Sequence, residues 1–259
     1  MVIDFHSEHN RGTYATRNAD TSWNRAMLAL IDPHGKHVVD IGCGGGIYSR
    51  GWIDLGAASV IGIDFSATMI ADAQEGSHDY PTLSFAQGDA AATGLTTASV
   101  DIAFSRAVIH HLPAPDPAFR EAARILKPGG ILIVQDRTIE DVLQPASPAH
   151  LRGYFFEVFP RLLELEQQRR PSTRNVTDAL QNAGFTGIST SSLAETRRTY
   201  HSIADLQSDL QARTGRSILH ALDDDELQRL INHITIAVKG ALPLTEEDQW
   251  TIWSARAPE

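Results

Sequence analysis

The chain divides into two regimes of hydrophobic patterning. From about Val38 to Arg137, short apolar runs rich in β-branched residues alternate with stretches whose apolar positions recur at helical spacing. The runs at 37–41, 59–64, 83–86, 100–104 and 131–134 are nearly continuous, the pattern of strands buried on both faces. Between them, 47–55, 67–75 and 117–126 have helical spacing, and the last runs into Lys127-Pro128-Gly129-Gly130, a strong stop. Strands alternating with helices predict a parallel sheet covered on both faces.

The second regime, from about Ile139 to Gly240, carries long polar and amphipathic stretches at 149–169, 202–213 and 223–239. Within it, 174–183 followed by Gly184-Phe185 reads as a helix, a glycine cap and a resumed strand over 186–192. Residues 249–255 alternate and are rich in aromatic and β-branched side chains, which suits an edge strand. The expected fold is α/β, a doubly wound, mostly parallel Rossmann-like sheet of seven strands with the last antiparallel, carrying helical cap insertions. The expected organisation is an N-terminal helical lid over 1–36, a core of 37–138, 171–195 and 245–259, and cap insertions at 139–170 and 196–244. Asp223-Asp224-Asp225-Glu226 reads as an acidic helix start favoured by the helix dipole.

Bulk properties narrow the function classes. No stretch approaches the roughly 20 continuous apolar residues of a membrane span, and the first ten residues lack the basic start and apolar run of a secretory signal. With Cys43 the only cysteine, no internal disulfide can form, so a cytoplasmic location is expected. A net charge of −10, with basic clusters only at Gln168-Arg169-Arg170 and Arg197-Arg198, argues against a nucleic-acid acceptor. Oligomeric state is not legible. His6 and His9 have helical spacing without a third ligand, so no metal site is read there.

The chemistry concentrates in Val38-Val39-Asp40-Ile41-Gly42-Cys43-Gly44-Gly45-Gly46-Ile47-Tyr48-Ser49, a strand entering a glycine turn and then a helix. Residues without Cβ let the backbone turn tightly and approach a ligand, and the helix start offers free N–H groups. A dinucleotide fingerprint would place its third glycine at 47, where Ile47 stands, which disfavours an NAD-dependent oxidoreductase. The second strand ends in Asp64, positioned to accept hydrogen bonds from ribose hydroxyls. Cys43 has no partner spaced to make it a nucleophile.

The pattern Asp40-x-Gly42-x-Gly44-x-Gly46 resembles the first motif of the class I methyltransferases that use S-adenosylmethionine (SAM). Gly88-Asp89-Ala90 is similar to the family's G-D-A segment, residues 104–112 to its segment after the fourth strand, and Leu126-Lys127-Pro128-Gly129-Gly130-Ile131-Leu132 to its L-K-P-G-G-x-L motif. The resemblance covers roughly residues 14–137. It implies SAM as cofactor, Asp64 on the ribose, Phe65 and Met69 near the adenosine, Asp89 and Ala90 at the adenine, and Ser105 and Arg106 beneath the methionine part. It further implies a lid in which Arg17 meets the SAM carboxylate and Tyr14 shields the methionine portion. His110 is the candidate base, with His111 beside it; two adjacent helical residues point about 100° apart, so one at most is expected to face the acceptor.

The family's N-P-P-Y segment of amino-group methylases is replaced by Ser105-Arg106-Ala107-Val108, which lowers the odds for DNA bases. A small-molecule methyl acceptor under a helical cap is therefore the expectation. Arg106 and Arg137, just past the fourth and fifth strands, are candidates for meeting an acidic acceptor. A SAM-binding protein without transfer activity is the alternative.

Overall fold

A computed structural model describes residues 19–213 and 215–259; Tyr14, Arg17, His6 and His9 lie outside them. Seven strands form one sheet in the order β3-β2-β1-β4-β5-β7-β6: β1 (His37–Ile41), β2 (Ser59–Asp64), β3 (Leu83–Gln87), β4 (Val100–Arg106), β5 (Leu126–Asp136), β6 (Thr186–Tyr200) and β7 (Leu244–Arg256). β1 to β5 are parallel, and β7 runs antiparallel to both β5 and β6. The apolar runs are buried as their composition demands, with Val38, Val39, Ile102, Phe104 and Ile133 at 1% exposure or less. The helices α2 (Ile47–Asp54), α3 (Ala67–Glu75) and α4 (Asp116–Ile125) link the parallel strands, and the strand order reverses between β1 and β4. That switch point opens a crevice at the carboxyl ends of the strands, where open α/β sheets bind ligands.

Three expectations are corrected. The last strand is not an edge: β7 is inserted between β5 and β6, pairing Val134 with Trp253 on one side and Thr190 with Trp253 on the other. Its aromatic content reflects that burial, since Trp250 and Trp253 are both almost wholly covered. The stretch 149–169 is two helices, α6 (Arg152–Val158) and α7 (Arg161–Arg169). Pro160 starts the second helix and forces Phe159 out of helical geometry. Finally, β5 begins at Leu126, so Lys127-Pro128-Gly129-Gly130 ends α4 yet sits inside the strand as an irregularity in its pairing with β4.

The helices α1 (Thr21–Leu30), α5 (Ile139–Val142), α8 (Thr173–Asn182), α9 (Ile203–Gln211) and α10 (Asp224–Val238) complete the architecture. The acidic start of α10 is a capping box, with Asp223 and Glu226 exchanging side-chain to backbone hydrogen bonds. The two stretches expected as insertions share one hydrophobic cluster, in which Phe155, Phe159 and Leu162 meet Leu206, Leu230 and Ile234. β6 and β7 extend past the parallel strands as a long ribbon, pairing Tyr200 with Leu244, and α9 and α10 lie between their ends in the chain. The aromatic run at 154–159 thus packs into that cluster. α1 packs against α2 and the sheet in a separate cluster, where Trp23 contacts Tyr48, Trp52 and Phe104.

Candidate active site

The loop after β1 is held from below by β2. Ile63 carbonyl accepts from Gly42 N at 2.7 Å and from Cys43 N at 3.0 Å, and the Asp64 carboxylate accepts from Gly44 N and Ser66 N, both at 2.9 Å. Asp64 therefore shapes the loop as well as facing the cleft. Gly42 has φ +77°, and a Cβ there would lie 2.2 Å from Val108 Cγ2; Gly46, at φ +76°, would strike the Phe85 ring. Gly44 is different: it also has positive φ, but a Cβ would meet nothing within 4 Å. Two glycines let the backbone pack, and Gly44 faces open space.

Above this loop lies a cavity of about 570 Å³. Of the expected cofactor residues, Gly42, Gly44, Asp64, Phe65, Met69, Asp89, Ala90 and Arg106 line it. Asp40, Gly46 and Ser105 do not line it. Asp40 is buried beneath the loop and accepts from Ser49 Oγ at 2.6 Å; burial, opposed by that hydrogen bond, raises its carboxyl to about 7. Gly46 caps α2, and Ser105 is buried within β4. Cys43 lines the cavity, but burial and the nearby Asp40 and Asp64 push its thiol up, so it is no thiolate nucleophile.

His110 and His111 stand on a single 3₁₀ turn, and both line the cavity with their rings 4.0 Å apart. The expectation that one at most would face it is corrected, because this turn is not the start of a regular helix. His110 Nδ1 lies 2.8 Å and 2.9 Å from the two oxygens of Asp136, at the end of β5. Burial lowers His110 to about 3 and His111 to about 4, so both rings are neutral near pH 7. Asp136 is held well below the usual carboxylate range despite its burial, by His110, Arg170 and the Arg137 N–H. A neutral ring whose Nδ1–H donates to Asp136 keeps its lone pair on Nε2.

The rest of the wall was only partly foreseen. Arg106 donates to Glu195 at 2.7 Å and lies between the Tyr48 and Trp250 rings, 4.3 Å and 4.0 Å from their centroids. Arg137 covers the Trp250 ring and donates to Asp248 at 3.0 Å. Arg152, Arg170, Gly215 and Ser217, from the segments after β5 and β6, and Trp250 of β7 complete the lining and were not anticipated. Asp136 was findable as a third aspartate at a strand end, after Asp40 and Asp64. These residues carried no such signal, because their approach depends on how distant segments of the chain fold back.

Comparison with known proteins agrees with this geometry. The methyltransferase domain family matches residues 39–134, the segment from β1 to β5. The match is to a methyltransferase domain and covers that segment alone. It is 25% identical over 245 residues to a tRNA U34 carboxymethyltransferase of Idiomarina loihiensis, covering 86% of this chain and 66% of that protein. It is 35% identical over 107 residues to a malonyl-[acyl-carrier protein] O-methyltransferase of Pectobacterium atrosepticum, covering 41% of each. The chain thus spans about two thirds or less of the length of these relatives. A putative methyltransferase from an antibiotic biosynthesis pathway of Anabaena variabilis superposes with a TM-score of 0.67 at 20% identity, over 90% of this chain and 95% of that one, a likeness of fold. Among the described residues no helix is long and apolar enough to cross a membrane.

The residues present fit SAM. Gly44 leaves open space against the loop backbone, while Asp64 and the exposed Asp89 offer carboxylates at one end of the cavity to hydroxyl and amino donors.

Proposed function

We propose that this chain transfers a methyl group from SAM to a small-molecule acceptor. The observation that carries the reading is one cavity running from the glycine loop and Asp64 to the His110–Asp136 pair under the cap. Its size falls in the range of about 300–1,000 Å³ of small-molecule sites. Bound SAM supplies a methyl already activated for in-line displacement, so the protein's task is alignment and exclusion of water. Asp64 and the loop hold the nucleoside end, with Asp89, Ala90, Phe65 and Met69 along the base. Arg106, buried between Tyr48 and Trp250, stands at the boundary between the cofactor loop and the acceptor end. His110 Nε2 takes a proton from the acceptor, and Asp136 orients the ring and stabilises the cation formed. The stretch 1–36 is read as the lid over the cofactor, with Tyr14 and Arg17 in it, and 139–170 with 196–244 as the substrate cap.

The test is formation of S-adenosylhomocysteine from SAM with a panel of small hydroxyl, amine and thiol acceptors, run beside bulk tRNA. Turnover with a small acceptor, lost in His110→Gln with unchanged S-adenosylhomocysteine affinity, is the expected result. Turnover with tRNA alone would replace the acceptor class, and tight binding without any turnover would make the protein a SAM binder.

A further inference from the structure

We propose that the acceptor carries an anionic group, a carboxylate or a phosphate monoester, seated on Arg152 and Arg170 at the cap end of the cavity. The inference rests on the methyl-transfer reading and names the substrate class for that same site.

The cavity is polarised. Its only lining carboxylates among the described residues are Asp64 and Asp89, at the glycine-loop end. The remaining charged lining is Arg106, Arg137, Arg152 and Arg170, whereas the acids that pair with them do not line the cavity. An entering ligand meets guanidinium groups, not their counter-ions.

The balance of charge differs along this wall. Arg106 faces Glu195, and Arg137 faces Asp248. Around Glu166 the count is uneven. That single carboxylate accepts from Arg152 at 2.9 Å, from Arg169 at 2.6 Å and from Arg170 at 2.6 Å, and Arg170 also reaches Asp136 at 3.3 Å. Three guanidiniums thus share two carboxylates, with His110 neutral; Asp248 also acts on Arg152 but is already paired with Arg137, so the cluster keeps an excess of positive charge. The side chains of Arg152 and Arg170 are only 8% and 4% exposed, so solvent screens that excess poorly. A buried cation lacking its counter-charge is costly unless a ligand anion completes the pairing. Burial lowers the pKa of Arg152 and outweighs the opposing pull of Glu166 and Asp248, and the neighbouring Arg170 and Arg169 add to the lowering.

Geometry supports the same assignment. Arg152 begins α6 and Arg170 follows α7, both in the cap region rather than on the strands that carry the cofactor loop. Among the described residues Arg152 hydrogen-bonds through Nη1 alone, which leaves the rest of its donor fork for a planar or tetrahedral oxyanion. Asp136 joins this seat to the base, since it holds both Arg170 Nη1 and His110 Nδ1. An acceptor anchored there by its anion presents its nucleophile beside His110.

The test uses the full chain. S-adenosylhomocysteine is first titrated into wild type and Arg152→Gln, a variant that leaves Glu166 paired with Arg169 and Arg170. The saturated proteins are then titrated with benzoate, phenyl phosphate and benzamide at matched ionic strength. At least one anion is expected to bind wild type about tenfold or more tightly than benzamide, and Arg152→Gln to lose about tenfold or more of that affinity with S-adenosylhomocysteine binding retained. Preference for benzoate assigns a carboxylate, and preference for phenyl phosphate a phosphate monoester. Benzamide binding as well as both anions, no binding by any of the three, or full anion affinity in Arg152→Gln overturns the proposal. If the variant loses S-adenosylhomocysteine as well, the wild-type ranking decides. If wild type itself fails to bind S-adenosylhomocysteine, the methyl-transfer reading falls, while anion titration of the unsaturated protein still reads the seat.

Discussion

Replacing Gly42 with alanine tests whether the loop is shaped by backbone requirements rather than tolerance. At φ +77° an L residue pays roughly 1–2 kcal/mol for left-handed geometry. The new Cβ would also fall 2.2 Å from Val108 Cγ2, far inside contact, and such overpacking costs about 1–3 kcal/mol. The two terms give a destabilisation of about 2–5 kcal/mol. Because Val108 immediately precedes the turn bearing His110, its displacement also disturbs the cavity wall. Urea denaturation of wild type, Gly42→Ala, Val108→Ala and the double variant forms a cycle that separates the terms. The overlap term, about 1–3 kcal/mol, should appear as coupling and be recovered in the double variant, while the φ term should persist. A Gly42→Ala protein within about 0.5 kcal/mol of wild type, or strictly additive effects, would refute the reasoning.

Three further outcomes follow from the same structure. Asp64→Ala should weaken S-adenosylhomocysteine binding by about 1.5–3 kcal/mol, read by calorimetry, through loss of a charge-assisted hydrogen bond; unchanged affinity would remove Asp64 from the ribose. Asp40 titrates at about 7 in the folded protein, above its unfolded value, so the folded state binds the extra proton; its contribution is full below about pH 4 and is lost as pH rises through 7. Asp40→Asn keeps an acceptor for Ser49, and should flatten by roughly 4 kcal/mol the fall in stability between pH 4 and 8 seen in wild-type denaturation curves; an unchanged slope would show Asp40 ionised in the fold. Asp136→Asn should lower turnover about tenfold or more while sparing S-adenosylhomocysteine affinity, since it removes the carboxylate that stabilises the imidazolium of His110; equal turnover would dismiss the pair.

The parallel half of the fold was legible because strands buried on both faces must be continuous apolar runs, and 37–41 and 59–64 match β1 and β2 residue for residue. The antiparallel half was harder. Alternation in 249–255 reports one face of a strand but not its neighbours, so β7 was expected at an edge although β6, largely exposed, lies outside it. β6 also runs on to Tyr200, past the expected end at 192, because polar residues on an exposed edge strand resemble a loop in sequence. In the site, the glycine turn and Asp64 were readable from local spacing. Asp136 meets His110 because β4 and β5 are neighbours, but Glu195 on Arg106 and Glu166 beneath Arg152 were not readable, since they come together only through the β6–β7 ribbon and the helices after β5.

The most direct test of the account is a crystal structure of the full chain with S-adenosylhomocysteine. The ribose hydroxyls are expected at the Asp64 carboxylate, the adenine beside Asp89 and Ala90, and the sulfur directed toward the end of the cavity lined by His110 and Arg152. A ligand bound elsewhere, or reversed so that the adenine occupies the arginine-lined end, would contradict it.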